Sequence, residues 1–358
     1  MKIFTIKKNN AAYTVMASAL FMSTGAFAQS NVQLFGVVDM GVSYTKVHGG
    51  EKLTALSENG NTTSRIGFRG TEDLGGGLKA LFWLESGWTP STGGGALSFA
   101  RRSVVGLSGQ FGEVTLGRDY TSGYSMYSSY GGPFGTNGVG HNIVYRARVV
   151  THDSSNAGQE AFVRSSNAIS YFSPKGDGIY GQFTYGFDEQ TSGNAGRYVG
   201  GRLGFRNKTL DFSGAYNTIA AGNNAPASAP RKMESTSLGM SYQFSAAKLF
   251  VLYAHDKIEM PIEDKKLNGL SVGLETQVGQ GAIRAGIGHV QLDYLNQKAK
   301  ATKYSLGYVH NLSKRTALYS TVGYLQNKGG ANFVVNPGVR GQSNKNSSGV
   351  DFGIRHRF

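Results

Sequence analysis

Apolar and polar residues alternate with a period of two along most of this 358-residue chain. Sixteen segments carry the alternation, which is the mark of strands that present different chemistry on their two faces. Seven short turns, at 71–77, 109–112, 174–178, 207–208, 245–247, 279–281 and 313–315, separate them on one side. Eight longer polar connections, near 47–63, 89–99, 119–164, 188–197, 220–234, 259–267, 294–301 and 329–346, separate them on the other. A soluble sandwich has no reason to keep every second connection tight. A bacterial outer-membrane barrel does, with short periplasmic turns, long external loops and an even strand number. The final segment, Val350 to Arg357, alternates in the same way and ends on Phe358.

One strand cannot say which face is wet. In the run 64–70, Arg65 and Arg69 share one face while Ile66 and Phe68 share the other. In a soluble sheet the apolar face would be core; in a barrel it would meet lipid and the arginines would meet a watery lumen. Repetition decides. Arg202, Gly204 and Arg206 alternate with Leu203 and Phe205; Ser271, Gly273 and Glu275 with Leu270, Val272 and Leu274; Arg284, Gly286 and Gly288 with Ile283, Ala285 and Ile287. Small or charged residues on one face of every strand make a poor core and a good channel lining, and closure leaves no unpaired backbone in hydrocarbon. The prediction is one all-β domain over 29–358, a sixteen-stranded antiparallel transmembrane β-barrel.

The first 28 residues fit export. Lys2, Lys7 and Lys8 precede the apolar run 17–21 and the site Ala26-Phe27-Ala28, the plan of a removed secretory signal peptide; a membrane helix needs about twenty apolar residues. Zero cysteines exclude disulfides, thiolate metal sites and cysteine nucleophiles. Fifty-two glycines suit strands that bend or pack closely. Nineteen tyrosines and twenty phenylalanines suit interfacial girdles. Of 36 basic residues three fall in the leader, which leaves 33 against 22 acids, a net +11. No nucleic-acid module or basic block accompanies that charge, so a positively charged pore or an anionic lipid surface remains.

Several runs also resemble the general porins of Gram-negative bacteria. Residues 32–39 (VQLFGVVD) resemble their first strand, and 64–87 (SRIGFRGTEDLGGGLKALFWLESG) the second and third strands of the betaproteobacterial branch. Residues 101–119, 166–174, 304–324 and the closing GIRHRF at 353–358 match in order. The resemblance implies a homotrimer in the outer membrane, with lipid and lipopolysaccharide around it and a third loop folded inward to narrow the pore. It implies a C-terminal assembly signal at Phe358, read by the barrel-assembly machinery. Loop two (89–99) resembles a latch that reaches into a neighbouring subunit.

Loop three is the longest connection, and Pro133, Phe134 and Gly135 within Gly132–Gly135 match the inward-folding motif. No acid lies between Asp119 and Asp153, where the family often has one; the loop offers His141, Arg146, Arg148 and His152 instead. On the facing wall the resemblance places a basic constriction at Arg65, at Arg101 or Arg102, and at Arg164, which stands seven residues before Tyr171 as the family's wall arginine does. The choice between Arg101 and Arg102 stays open, because one register step flips a strand's faces. Arg69, Arg118, Arg146, Arg148, Arg202 and Arg284 are the further expected pore-lining residues.

No catalytic or metal set accompanies this. Gly269 to Gly273 fits G-x-S-x-G, but Ser271 lies inside uninterrupted alternation rather than at a strand-to-helix elbow. The glycines at 75–77 lack the lysine and hydroxyl of a phosphate loop, and the seven histidines have no metal-ligand spacing. His356 is read as lipid-facing near the periplasmic end, its polar tip reaching water. The expectation is a non-enzymatic diffusion channel for ions and small hydrophilic solutes, with a preference for small anions and no cofactor. The alternative is an outer-membrane adhesin or structural barrel that acts through its external loops.

Overall fold

The computed structural model describes residues 31–152, 160–220 and 230–358. The expected leader, and the side chain of His152, lie outside the described residues. Seventeen antiparallel strand segments close into one ring. They are β1 (Asn31–Val47), β2 (Lys52–Glu58), β3 (Arg65–Gly75), β4 (Leu78–Gly87), β5 (Arg102–Gly109), β6 (Gly112–Tyr120), β7 (Arg164–Phe172), β8 (Gly178–Gly186) and β9 (Tyr198–Arg206). Then follow β10 (Leu210–Ala220), β11 (Lys232–Gln243), β12 (Ala247–Glu259), β13 (Lys265–Val278), β14 (Gly281–Tyr294), β15 (Gln297–Asn311), β16 (Thr316–Lys328) and β17 (Ser347–Arg357). β1 pairs with β3 through 31–37 and with β2 through 40–46, so β2 and β3 share one position in the ring. Seventeen segments therefore make sixteen staves, and β1 closes on β17 from Val37↔Arg357 to Val47↔Ser347.

Two of the expected long connections are corrected. The connection near 47–63 contains β2, which carries the hairpin beyond the rim, followed by a segment at 59–64 that turns into the lumen. The connection near 294–301 is a two-residue turn, Leu295 and Asn296, at φ 50° and 60°. Paired positive φ values are what a tight hairpin requires to match strand twist. The opposite end follows the pattern: Gly75, Gly76 and Gly77 all have positive φ in open space, a turn that side chains with a Cβ would strain.

The outer face carries the apolar set. Leu34, Leu116, Ile179, Leu203, Leu238, Leu270, Leu306 and Phe352 are all exposed on the isolated chain, so hydrocarbon is their partner. Aromatic residues gather at the tight-turn end, with Tyr242 and Phe244 at 4.7 Å and Phe205 and Phe212 at 6.0 Å. His356 is exposed there and bonds Thr316 Oγ1 through Nδ1 at 2.9 Å.

The inner face does something less obvious from alternation. Between β6 and β7 the chain enters the barrel as α1 (Ser122–Tyr130), α2 (Ile143–His152) and a single turn, α3 (Glu160–Val163). α1 lies on β9–β12 and α2 on β13–β15. Their contacts fall on inward-facing glycines. A Cβ on Gly269 would sit 2.5 Å from Val144, one on Gly273 2.6 Å from Pro133, and one on Gly288 2.6 Å from Ile143. Gly239 under Tyr130 and Gly323 under Val139 leave even less room. The glycines in β11–β16 are thus a bed for the loop, and the molecule's main buried apolar cluster is the one trapped there: Met126, Tyr127, Tyr130, Val139, Ile143, Val144, Leu252, Leu267 and Leu325 among others.

Candidate functional site: a constriction between the inserted loop and an arginine wall

The loop is held by polar bonds as well as by packing. Thr121 caps α1, its side chain accepting from Tyr124 N at 3.1 Å. Asn142 Oδ1 accepts from Val144 N at 2.8 Å at the start of α2, while its Nδ2 donates to Gly131 O at 2.6 Å and Ser271 Oγ at 2.9 Å. One side chain thereby starts a helix, ties it to the previous one and fixes both to the wall. Ser271, the serine of the G-x-S-x-G match, serves as that anchor. At the tip, Val139 N donates to Asp351 Oδ2 at 2.7 Å, and Lys303 Nζ donates to His141 O at 2.8 Å. Segment 59–64 closes the clasp: Asp39 Oδ2 accepts from Asn61 N and Thr62 N, and Thr63 Oγ1 donates to Asn137 Oδ1 at 3.0 Å.

Arg148 is the deepest of these anchors, and its expected place in the pore is corrected. Its side chain is 0% exposed and forms a two-pronged pair with Asp256 of β12, with Nε to Oδ2 at 2.6 Å. It also donates to the Tyr127 hydroxyl at 2.8 Å and Ser237 Oγ at 3.0 Å, and lies 4.6 Å from the Phe162 ring centroid. Burial of two ions is tolerated because each finds its opposite and further hydrogen bonds. Arg146, two residues earlier, leaves the helix on another side. It is half-buried, and among the described residues it makes no ion pair. His141 is buried close to Lys303 and Arg146, which holds its imidazole well below its ordinary pKa and therefore neutral.

Across from the loop, the basic residues gather around one carboxylate. Glu85, on the inner face of β4, receives Arg101 Nε at 2.6 Å and has Arg65 Nε at 3.7 Å. Arg101 also donates to the Tyr120 hydroxyl at 3.1 Å. Arg164 donates from Nε to Arg101 O at 2.7 Å and lies 4.9 Å from the Tyr120 ring centroid. The segment 101–102 does not force a choice between its arginines, because Arg101 precedes the strand. Arg101 joins Glu85, while Arg102 turns to Asp119 at 2.7 Å and covers the Trp83 ring at 4.5 Å. Arg65 and Arg101 thus share a single acid, and Arg164 joins them through the Arg101 carbonyl and the Tyr120 ring.

The remaining expected residues divide. Arg69, Arg102 and Arg202 line a lumen cavity of 1040 Å³ on the tight-turn side, joined there by Lys79, Lys175 and Arg206 against the acid Glu113. Arg202 donates to the hydroxyls of Tyr180 at 2.8 Å and Tyr130 at 3.0 Å, so it also supports the loop. Arg284 faces inward and bridges Glu275 and Asn61, each at 2.8 Å. Arg118 is a correction. It stands two residues from lipid-facing Leu116 and so shares the outer face with it, opposite Ser103, while the pairing with β7 shifts by a bulge between Gly117 and Asp119. Its guanidinium bonds Ala100 O at 2.6 Å and Ser166 Oγ at 2.5 Å there. Pro133 packs on Gly273, Phe134 on Gly140, Gly286 and Gly307, and Gly135 has φ 56° in open space. Loop two curls toward its own chain, with Ser91 N donating to Glu58 Oε1 at 3.3 Å. Sequence reading missed Glu85, Asp39, Asp351 and Lys303 as site residues; each is a charged residue on an inward position of a predicted strand, which was the available signal.

A closed barrel with an apolar exterior, a polar lumen and a loop tethered across its interior is a transmembrane channel. The chain belongs to the Gram-negative porin family, whose model matches residues 12–330, and is a β-barrel protein of the Gram-negative outer membrane. It is 40% identical to outer membrane porin protein 32 of Delftia acidovorans, across 99% of this chain and all of that one. It is 28% identical to an outer membrane porin protein of Bordetella pertussis, across 96% and 99% of the two chains. Among solved structures it superposes on the anion-selective porin from Comamonas acidovorans with a TM-score of 0.84 at 36% identity, covering 92% of this chain and all of that one. OmpT of Vibrio cholerae, in its trimer form, shares the fold with a TM-score of 0.67 at 14% identity and coverage of 92% and 99%. Family and fold point to a channel rather than an enzyme.

Proposed function

We propose that this porin is a diffusion channel for small hydrophilic solutes that prefers anions, with Arg65, Arg101 and Arg164 as its basic wall and Arg146 facing them from the inserted loop. The observation that carries the reading is the ratio of charges: Arg65 and Arg101 share Glu85, and Arg164 adds a third cation bonded to the Arg101 carbonyl with no ion pair among the described residues, opposite a loop stretch with no acid after Asp119 to the end of α2. Charged rings lower the barrier for counter-ions and raise it for co-ions. A unit charge about 4 Å away contributes roughly 4 kcal/mol at an effective dielectric of 20, and the effect shrinks as the Debye length falls to about 3 Å at 1 M salt. The name of the Comamonas structure, an anion-selective porin, agrees with this reading. The test is a reversal potential across a potassium chloride gradient, in wild type and in an Arg65→Ser, Arg164→Ser double variant. Anion preference in the wild type that weakens in the variant supports the reading; cation preference in the wild type defeats it.

The reading includes three further parts. The channel works as a homotrimer, checked by native electrophoresis. The leader is removed after Ala28, checked by N-terminal sequencing that should begin at Gln29. Phe358 acts as an assembly signal for the barrel-assembly machinery, and its position is apt: it exchanges backbone bonds with Gly36 at 3.0 and 3.1 Å on the closing seam.

A further inference from the structure

The lumen chamber on the tight-turn side is not lined by charge alone. Leu81, Trp83, Phe172 and Tyr180 also border its 1040 Å³. Two of these rings serve as platforms for cations. Trp83 lies 5.0 Å from Arg69 and 4.5 Å from Arg102, and Tyr180 lies 5.1 Å from Arg202 and 3.8 Å from Arg206. Leu81 and Phe172 carry no cation, yet both stay half-buried at the chamber wall. Apolar surface left in water is a cost that an apolar ligand body recovers on contact.

The pattern is clearest on β7–β9. Phe172 is opposite Gln182, and Gln182 is opposite Arg202, so the three form one inward row. Tyr180 and Gly204 pair in the next inward row toward the turns. A Cβ on Gly204 would sit 2.7 Å from Tyr180 Cζ, so the missing side chain lets that ring lie across β9 between Arg202 and Arg206. Neither arginine has an ion pair among the described residues. Arg202 donates to Ser213 Oγ and to the Tyr130 and Tyr180 hydroxyls. Arg206 has the ring and, among the described residues, no hydrogen bond. Lys175, in the adjoining turn, is exposed and equally unpaired. Glu113 is the one acid of the described lining, and it stands opposite Phe172 on β6, away from Arg206. Charge therefore runs from negative at β6 to positive at β9, with Phe172 between them.

We propose that this chamber retains aromatic carboxylates, the carboxylate on Arg206 and Lys175 and the ring against Phe172 and Tyr180. A guanidinium stacked on a ring offers its N–H edge to a carboxylate in its own plane, and flat apolar bodies pair well with aromatic side chains. Glu113 repels the charged end and so turns it toward β9. Chloride and aliphatic acids gain the charge contact only. Retention of this kind presupposes the anion-preferring pore proposed above, through whose arginine wall the acid must pass.

The test is the potassium chloride current of the native oligomer in planar bilayers, with potassium benzoate, potassium acetate or benzyl alcohol added in turn, at equal concentration on both sides. Benzoate should reduce the current at a concentration at least about fivefold lower than acetate, and uncharged benzyl alcohol should leave it unchanged. Arg206→Gln should weaken the action of both acids, by about tenfold for benzoate. Phe172→Ala should weaken benzoate alone, by about threefold, whereas a merely structural Phe172 would move both acids together or neither. That variant also reads the site independently if Arg206→Gln assembles poorly. Lys314→Gln, in a turn on another sector of the ring, should respond as wild type. Equal action of benzoate and acetate, block by benzyl alcohol, a wild-type response in Arg206→Gln and Phe172→Ala, or an equal loss in Lys314→Gln would each overturn the proposal. The reversal potential of the same channels separates the two readings. Cation preference defeats the anion-preferring pore and this site with it; anion preference without benzoate block defeats this site alone.

Discussion

Two walls of this barrel obey the same alternation and have opposite fates. On β11 and β13–β15 glycines and serines such as Ser237, Gly239, Gly269, Ser271, Gly273 and Gly288 hold inward positions, and they lie beneath α1, α2 and the segment between them. On β3–β7 the inward positions carry Arg65, Arg102 and Arg164, which border the lumen around the buried Glu85. Small inward residues therefore do not mark the pore. They mark where the pore is not, because the chain's own loop fills that half and leaves the long, charged side chains to border the remaining gap.

The largest expected effect comes from detaching the loop. Asp256→Ala leaves Arg148 charged, buried and without its carboxylate, which should cost about 3–5 kcal/mol; thermal unfolding in detergent reads the loss, and single-channel current should rise and become noisy as the loop leaves its wall. Unaltered current would mean that the loop does not define the narrow section. Next comes the bed. Gly269→Val together with Gly288→Val overpacks the seat of Val144 and Ile143, for about 1–3 kcal/mol, and pushes α2 toward the arginines, so conductance should fall while the barrel's strand content, read by circular dichroism, stays the same. The arginine wall responds more gently. Glu85→Gln leaves Arg65 and Arg101 without their shared acid and should raise the anion-to-cation permeability ratio about twofold, a screened remainder of ~0.4 kcal/mol, measured by reversal potential. The smallest effect is the sharpest control: Arg118→Ser, on the outer face, should leave that ratio where it was, and a shift would place Arg118 in the lumen after all.

Much of this was legible in the residues. Period-two alternation located the strands because lipid outside and water inside impose it on every stave. Glycine or proline marked four of the seven tight turns, and 207–208, 245–247 and 313–315 showed as short breaks between alternating runs. The turn at Leu295–Asn296 escaped because the strands carry polar residues on both sides of it, Gln291 and Asp293 before and Gln297, Lys298 and Lys300 after, so the connection read longer than it is. β2 and the inward segment 59–64 escaped because their place depends on Asp39, a side chain on another strand. Arg148 was misplaced for a related reason. A helix inside a polar lumen has no fixed wet side, and only the distant Asp256 shows that this face is buried. Arg118 was misplaced against the alternation itself, since it stands two residues from lipid-facing Leu116 on the same face of β6, in unbroken register with β5.

The seam between β1 and β17 has a consequence for how the molecule comes into being. Val37 lies opposite Arg357, and the terminal Phe358 makes the last rung with Gly36. The first strand to leave the ribosome therefore waits for the last residue before one of its two edges is covered. Until then the chain is an open sheet with two bare edges, which hydrocarbon does not accept and which invite pairing with other chains. Because the closing rungs join β1 to the segment farthest from it in sequence, the ring shuts only after every other stave is in place, a single late event.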